Sequence, residues 1–196
     1  MTALRLLLTF IVLLGLSSLC PAQSTNFLRN PDADLGEASW RASGEATVET
    51  IEGNPCFVVR NGGSFFQDVE LPDGAVGQYA VFIGRAASER INDDGKITGL
   101  PYLYGYMMEE EKPGGGRILA YLQSQQMLAS PRTKDQWVNI KGYFKVPEKT
   151  KRIRFFLNQA LHRDVPHNGS AARFDNLGLY LVVTREEAEA LVQRYR

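Results

Sequence analysis

The chain has 196 residues, of which 44% are hydrophobic and 22% are charged, and its formal net charge at pH 7 is zero. A chain of this length can bury the core of one domain. Its charges are mixed along the chain without a basic block, so the sequence gives no indication of a nucleic-acid partner. Its 18 glycines and 9 prolines fit a turn-rich β protein better than a helical one.

The first 22 residues are predicted to be a secretory signal peptide. Arg5 is the only charged side chain there, and the apolar run Leu6–Leu16 is too short for a comfortable membrane span. Small residues near Ala22 predict cleavage before Gln23. Lipidation at Cys20 and a lone N-terminal anchor are lower-ranked alternatives. We therefore expect a secreted protein, extracellular or periplasmic, without a membrane span in the mature chain.

Cleavage at this point leaves one cysteine, so the mature chain has no internal disulfide. That cysteine, Cys56, begins the apolar stretch Cys56–Val59, which favours a small buried hydrophobic residue over a nucleophile. A secreted domain without disulfides requires a well-packed core, a bound ion, or both.

From Trp40 to Val182 the pattern predicts short strands separated by Gly, Pro, Asn and Asp turns. Alternation is clear in places, with Ile153, Phe155 and Leu157 on one face. The expected fold is all-β, an antiparallel β-sandwich over residues 23–183. Thr184 is the predicted N-cap of a short helix over residues 184–196, a candidate docking element. The predicted strands are Ala46–Ile51, Cys56–Arg60, Ser64–Leu71, Gln78–Ala86, Leu100–Glu109, Arg117–Gln125, Gln136–Val146, Arg152–Gln159 and Ala172–Val182.

Five motifs, in order and spacing, resemble those of CenC-like carbohydrate-binding modules, within the galactose-binding-like jelly-roll class. The resemblance implies a jelly roll that binds polysaccharide or another glycan without breaking bonds. Two departures stand at Ala33, where the family has an aromatic residue, and at Asp34, where Glu is commoner. The segment Glu89–Gln126 is also longer and richer in Tyr and Met than the family pattern. The motifs are Asn26–Gly36 followed by Trp40, Ser64–Val69, Tyr79–Ala86, Trp137–Pro147 and Phe174–Leu177.

The acidic turn Phe174–Asn176 opens the last predicted strand. The resemblance implies that Asp175 and Asp34 share a structural Ca²⁺, with backbone carbonyls completing its shell, because this hard ion takes six to eight oxygens. The alternative is that Asp175 only caps local backbone N–H groups and that Asp34 is solvated.

Tyr102, Tyr104 and Tyr106 fall on one face of a predicted strand. Such a row of phenols can stack on the apolar faces of sugar rings and bond their hydroxyls; equally, it can fill the core. Tyr121 extends the row if its strand pairs alongside, and Trp137 does so if it lies in the same sheet. Arg154, with Arg85 and Asn158, lies on a polar sheet face that can contact a glycan, although a merely solvated face is the commoner role.

Two alternatives to glycan binding stay open. The first is an extracellular interaction or structural domain with a protein or cell-envelope partner. The second is a small hydrolase or lyase that uses His162, Asp164 or His167, although a plain connecting loop explains these residues better. A loop at Asn92–Gly95 and the acidic run Glu109–Glu111 are read as a turn and a solvated charge run.

Overall fold

A computed structural model describes residues 25–89, 99–109, 116–160 and 169–195. These residues form eight β-strands, one short 3₁₀ helix and one C-terminal α-helix. All strand pairs are antiparallel. The strands are β1 (Arg41–Ile51), β2 (Asn54–Glu70), β3 (Tyr79–Ser88), β4 (Pro101–Met108), β5 (Ile118–Leu122), β6 (Val138–Lys145), β7 (Arg152–Gln159) and β8 (Ala172–Val182); the 3₁₀ helix is Gln125–Met127 and the α-helix, α1, is Arg185–Arg194.

The long strand β2 belongs to both layers of the sandwich. Its first half pairs with β8, through Phe57–Val59, and its second half pairs with β7, through Ser64–Glu70. Strands β3 and β6 continue beyond β8, and strands β4 and β5 continue beyond β7. We call these layers the β3 sheet (β6, β3, β8 and the first half of β2) and the β4 sheet (β5, β4, β7 and the second half of β2).

Glycines form the corner where β2 passes from one sheet to the other. The partner strand β1 follows both halves of β2, and Gly44 alone faces residues 61–63 there. Gly44 has a φ of 65°, and a Cβ on Gly63 would lie 2.3 Å from the Glu45 carbonyl oxygen. A bend this tight therefore requires glycine on both strands.

Aromatic side chains from both sheets fill the core. The Phe82 ring, from the β3 sheet, stacks on the Phe155 ring, from the β4 sheet, with centroids 5.4 Å apart. Trp40 packs against Phe57 at 4.9 Å, and Phe57 packs against Phe65 at 5.1 Å. Since these rings are buried, they account for a large part of the apolar surface that stabilises the domain.

The segment before β1 is tied to the last strand. Phe27 N donates to Leu179 O at 2.9 Å, and the Asn26 side chain both donates to Leu177 O and accepts from Leu179 N. The buried Gln67 side chain accepts from Arg29 N and donates to Arg29 O. The bonds of Asn26 and Phe27 bring the start of the described chain beside β8, and the Gln67 bonds tie it to β2.

Helix α1 covers the outer face of the β3 sheet. Thr184 caps it through a capping box with Glu187, as the sequence predicted. Ala188 and Val192 are buried against Val81 and Ile83 of β3. No helix within the described ranges is long and apolar enough to span a membrane.

Lys141 Nζ donates to the carbonyl oxygens of Val192 and Tyr195 at 3.0 and 3.1 Å. These are among the carbonyls that a helix C-terminus leaves without intrahelical partners. The helix predicted as a docking element is therefore docked on its own sheet.

The β-sandwich and its C-terminal helix confirm the predicted fold class. One turn prediction was wrong: the predicted turn Asn61–Gly63 is a bend inside β2, so two predicted strands are one. The last strand has the predicted bounds, Ala172–Val182. Its acidic segment Phe174–Asn176 forms a bulge, where Asn176 has a φ of 50° and the register with β3 shifts. A bulge keeps the strand paired where a turn would end it.

We expect Gly63→Ala to lower the free energy of unfolding by about 3 kcal/mol, because the new Cβ meets backbone that cannot move aside. Gly74→Ala is the matched control: it has open space around it and a φ of 84°, so its cost is about 1 kcal/mol of left-handed strain. Urea unfolding of the two variants measures the difference. Equal losses would contradict the corner's dependence on Gly63.

Candidate functional site

Six aromatic side chains form one layer on the outside of the β4 sheet. Strand alternation explains the layer, because Leu103 and Met107 of β4 and Phe155 of β7 point into the core. Their neighbours in sequence therefore point outward. We call this layer the aromatic face; it consists of Phe66, Tyr102, Tyr104, Tyr106, Tyr121 and Phe156.

The register of the strands places these rings side by side. Phe156 lies opposite Tyr104 on one side and Phe66 on the other. Its ring stacks on that of Tyr104 with centroids 4.6 Å apart and planes 2° apart. Tyr102 stacks on Tyr104 at 5.6 Å, and Tyr121 meets Tyr106 edge to face at 5.3 Å. The predicted tyrosine row thus exists, and Tyr121 extends it.

The rings are neither core residues nor freely solvated. Tyr102, Tyr104 and Tyr106 are half-buried, while Tyr121 is 62% exposed. Burial raises the pKa of Tyr104 to about 12, so its phenol is protonated at neutral pH and keeps a hydrogen to donate. The face therefore combines apolar rings with hydrogen-bonding groups.

Arg154 lies on the same face, as predicted, and it is held in place. Its Nε and Nη2 donate to the two carboxylate oxygens of Asp68 at 2.7 and 2.8 Å. Its guanidinium also lies over the Phe66 ring, 5.0 Å from the centroid. Burial opposes ionisation of Asp68, but the hydrogen bond from Arg154 and the nearby arginine charges leave its pKa below the usual value. The pair is therefore charged at neutral pH and fixes one planar guanidinium beside the rings.

Trp137 does not join the aromatic face. Strand β6, which follows it, pairs with β3 and so belongs to the other sheet. Trp137 packs against Cys56, Val58 and Ala171, with the Arg85 guanidinium 5.4 Å from its ring centroid. The expectation that it would extend the tyrosine row is not met.

The two carboxylates predicted to share Ca²⁺ interact electrostatically, and Asp32 interacts with both. Burial raises the pKa of Asp32, and the charges of Asp175 and Asp34 raise it further. Burial also raises the pKa of Asp175; the Asn176 N–H and the Arg85 charge oppose this rise, and the charge of Asp34 adds a smaller one. Asp32 was not predicted, because the family motif pointed only to Asp34.

The local alternative for Asp175 is also seen, since its Oδ1 accepts from Asn176 N at 2.8 Å. Mutually repelling carboxylates offer the hard oxygen donors that Ca²⁺ prefers. Yet among the described residues no three His, Cys, Asp or Glu side chains converge as a metal site would require. The donors fit a calcium ion only if backbone carbonyls or water supply most of its ligands.

Several other predicted positions lie outside the described residues. These are the signal peptide with Cys20, the loop with His162, Asp164 and His167, and the turn Asn92–Gly95. Cys56 is buried, and burial raises the pKa of its thiol to about 11. This confirms that it is a buried apolar residue with little thiolate.

Phe66, Phe156 and Asp68 were missed by the sequence analysis. A signal for the first two was present in the pairs Phe65-Phe66 and Phe155-Phe156. In a strand, two adjacent aromatic residues cannot both point inward. One ring of each pair therefore had to be on the outer face.

No protein-family model matches this sequence, and no curated protein matches it significantly. Solved structures do match its fold. The enzymatically active domain of a tailspike protein from bacteriophage CBA120 superposes with a TM-score of 0.53 at 13% identity, over 80% of this chain and 21% of that one. The chain thus spans about a fifth of that domain.

Two further matches are small modules covered almost whole. A family 16 carbohydrate-binding module has a TM-score of 0.53 at 15% identity, over 79% of this chain and 99% of that one. A xylan-binding domain from Paenibacillus barcinonensis has a TM-score of 0.51 at 14% identity, over 82% and 97%. This chain has the β-sandwich jelly-roll fold of carbohydrate-binding modules.

Proposed function

We propose that this chain is a secreted, non-catalytic domain that binds a glycan on its aromatic face. The observation that carries the proposal is the six-ring layer on the outer face of the β4 sheet. Of the two outer sheet faces in the described part of the chain, this is the one that α1 does not cover. The similarity in fold to a xylan-binding domain supports the class of ligand. The predicted signal peptide supports secretion.

The chemistry of the face suits sugars. A pyranose presents C–H groups on its faces, which pack on aromatic rings, and hydroxyls at its rim, which pair with phenols and guanidinium groups. Tyr121, the most exposed ring, offers the largest free surface, and Tyr102 and Tyr106 add half-buried rings on the same strand. Because all six residues lie on strands and five of the rings are half-buried, less conformational entropy is lost on binding than for rings on a free loop.

A protein partner is the second candidate function. The aromatic face consists of Tyr and Phe side chains, with Arg154 beside them. These three residue types are also enriched at the centres of protein interfaces. A domain that binds glycans should bind an isolated polysaccharide, whereas a domain that binds only a protein partner should not.

We expect soluble polysaccharides of one class to retard the protein in affinity electrophoresis. Tyr121→Ala should weaken that binding by about tenfold or more, since one stacking ring contributes roughly 1–3 kcal/mol. Trp137→Ala is the control, because Trp137 lies in the other sheet, and it should bind as the wild type does once circular dichroism shows that it is folded. If Trp137→Ala abolishes the retardation and Tyr121→Ala leaves it unchanged, the binding site lies on the β3 sheet instead. No retardation by any glycan would favour the protein partner.

We further propose a structural Ca²⁺ at Asp34 and Asp175, with Asp32 close by. The supporting observation is that burial and neighbouring carboxylates raise the pKa values of Asp32 and Asp175. These two raised pKa values mean that the folded state binds protons more readily than the unfolded chain, whose Asp pKa is near 3.8. In a chelator, stability should therefore fall as the pH rises from that value through the folded pKa values. A cation would remove this loss and join the two ends of the described chain.

The melting temperature in Ca²⁺ and in EDTA tests this. At pH 7, Ca²⁺ at a hundred times its Kd should stabilise the wild type by about 2.7 kcal/mol. Asp175→Asn should gain nothing from Ca²⁺, and in EDTA it should be at least as stable as the wild type. Asp73→Asn, an exposed turn residue, is the control and should keep the full Ca²⁺ effect. Identical wild-type melting with and without Ca²⁺ would contradict the ion.

A further inference from the structure

We infer that the glycan carries an anionic group and that a cleft beside Phe66 binds it. This inference rests on the proposed function, because it specifies the ligand of the same surface. The cleft has a volume of about 490 Å³ and lies between the segment before β1, the start of β1, the second half of β2 and the start of β7. Phe66 belongs both to the cleft and to the aromatic face, so one ligand can contact the two together.

The cleft is lined by an excess of positive charge. Arg29, Arg41 and Arg152 line it, against Asp68 and Glu70. Asp68 is already engaged, since both of its carboxylate oxygens accept from Arg154, a fourth arginine next to the cleft. Four guanidinium groups therefore face two carboxylates here, in a chain whose total formal charge is zero. Such a local excess attracts anions and holds them at short range.

The arginines that line the cleft have N–H donors that are not used in close ion pairs. Within the described part of the chain, no ion pair involves Arg29 or Arg41, and both are exposed. Arg41 is positioned by packing, with its guanidinium 5.8 Å from the centroid of Phe66. Arg152 is only 13% exposed; it approaches Asp68 no closer than 4.0 Å, and its buried Nε has no hydrogen-bond partner.

These features define the ligand's chemistry. A planar guanidinium binds a carboxylate or a sulfate through paired, charge-assisted hydrogen bonds. The cleft volume of about 490 Å³ lies in the range that is typical of small-molecule binding sites. The geometry points to a sugar residue bearing a carboxylate or a sulfate ester in the cleft, with the neighbouring residues of the glycan on the aromatic face.

The test compares charged and uncharged forms of one polysaccharide with the purified protein. The probes are polygalacturonic acid against its fully methyl-esterified form, and a sulfated galactan against the same polymer after desulfation. We expect one charged form to bind about tenfold tighter than its uncharged counterpart, the effect of one charge-assisted hydrogen bond or more. Which pair shows the preference distinguishes carboxylate from sulfate.

Three variants test which residues cause the preference for the charged form of the polysaccharide. Arg41→Gln should remove it, whereas Arg194→Gln, an exposed arginine on α1 at the other sheet, should keep it. Tyr121→Ala should weaken binding of the charged and uncharged forms alike, as expected for a ligand that also lies on the aromatic face. Since Arg41, Arg194 and Tyr121 are all exposed, these variants should fold.

The outcomes separate the two proposals. If the protein binds an uncharged polysaccharide as tightly as its charged form, the anionic subsite is overturned and glycan binding stands. If the preference survives Arg41→Gln, or if Tyr121→Ala leaves charged binding unchanged, the attraction is non-specific and the inference is wrong. If neither form of any probe binds, the inference is wrong, whereas the proposed glycan function fails only if the panel of soluble polysaccharides also gives no retardation.

Discussion

The close approach of β1 and β2 at Gly44 and Gly63 is the constraint on which the rest of the structure depends. Because a side chain at Gly63 would collide with the Glu45 backbone, β2 can turn here and pair with β8 before the corner and β7 after it. This one strand therefore positions both halves of the sandwich. It carries Phe57 and Phe65 into the core and Phe66 and Asp68 onto the outer face. The core and the candidate site are thus set by the same backbone bend.

The two outer faces have different roles because they are covered differently. On the β3 sheet, apolar residues such as Val81 and Ile83 point outward, and α1 buries them. On the β4 sheet, the outward apolar side chains are aromatic rings that pack on one another. An apolar layer rimmed by Arg154 and Asp68 is typical of a binding surface. With a helix over one outer face and a ring layer on the other, the proposed glycan site is confined to one side of the sandwich.

Much of this could be predicted from local patterns. Alternation defined Arg152–Gln159 and Ala172–Val182, and the spacing of tyrosines defined the row on β4. The predictions that failed were those that depended on pairing between strands distant in the sequence. Trp137 was expected to extend the tyrosine row only if it lay in the same sheet, and the pairing of the following strand with β3 could not be known from its own sequence. The bend at Asn61–Gly63 resembled a turn because both use glycine. The cleft arginines lie on the segment before β1, on β1 and on β7, so only the folded chain brings them together.

The doubled aromatics Phe65-Phe66 and Phe155-Phe156 have a consequence for folding. If β2 and β7 each reversed their faces, a phenylalanine would still enter the core at both positions, Phe66 in place of Phe65 and Phe156 in place of Phe155. The other positions of β7 separate the two arrangements, because the reversal would expose Ile153 and Leu157, which are buried in the native sheet. It would also bury the charges of Asp68 and Arg154. The outward charges beside the aromatic face thus disfavour the reversed pairing of the two strands.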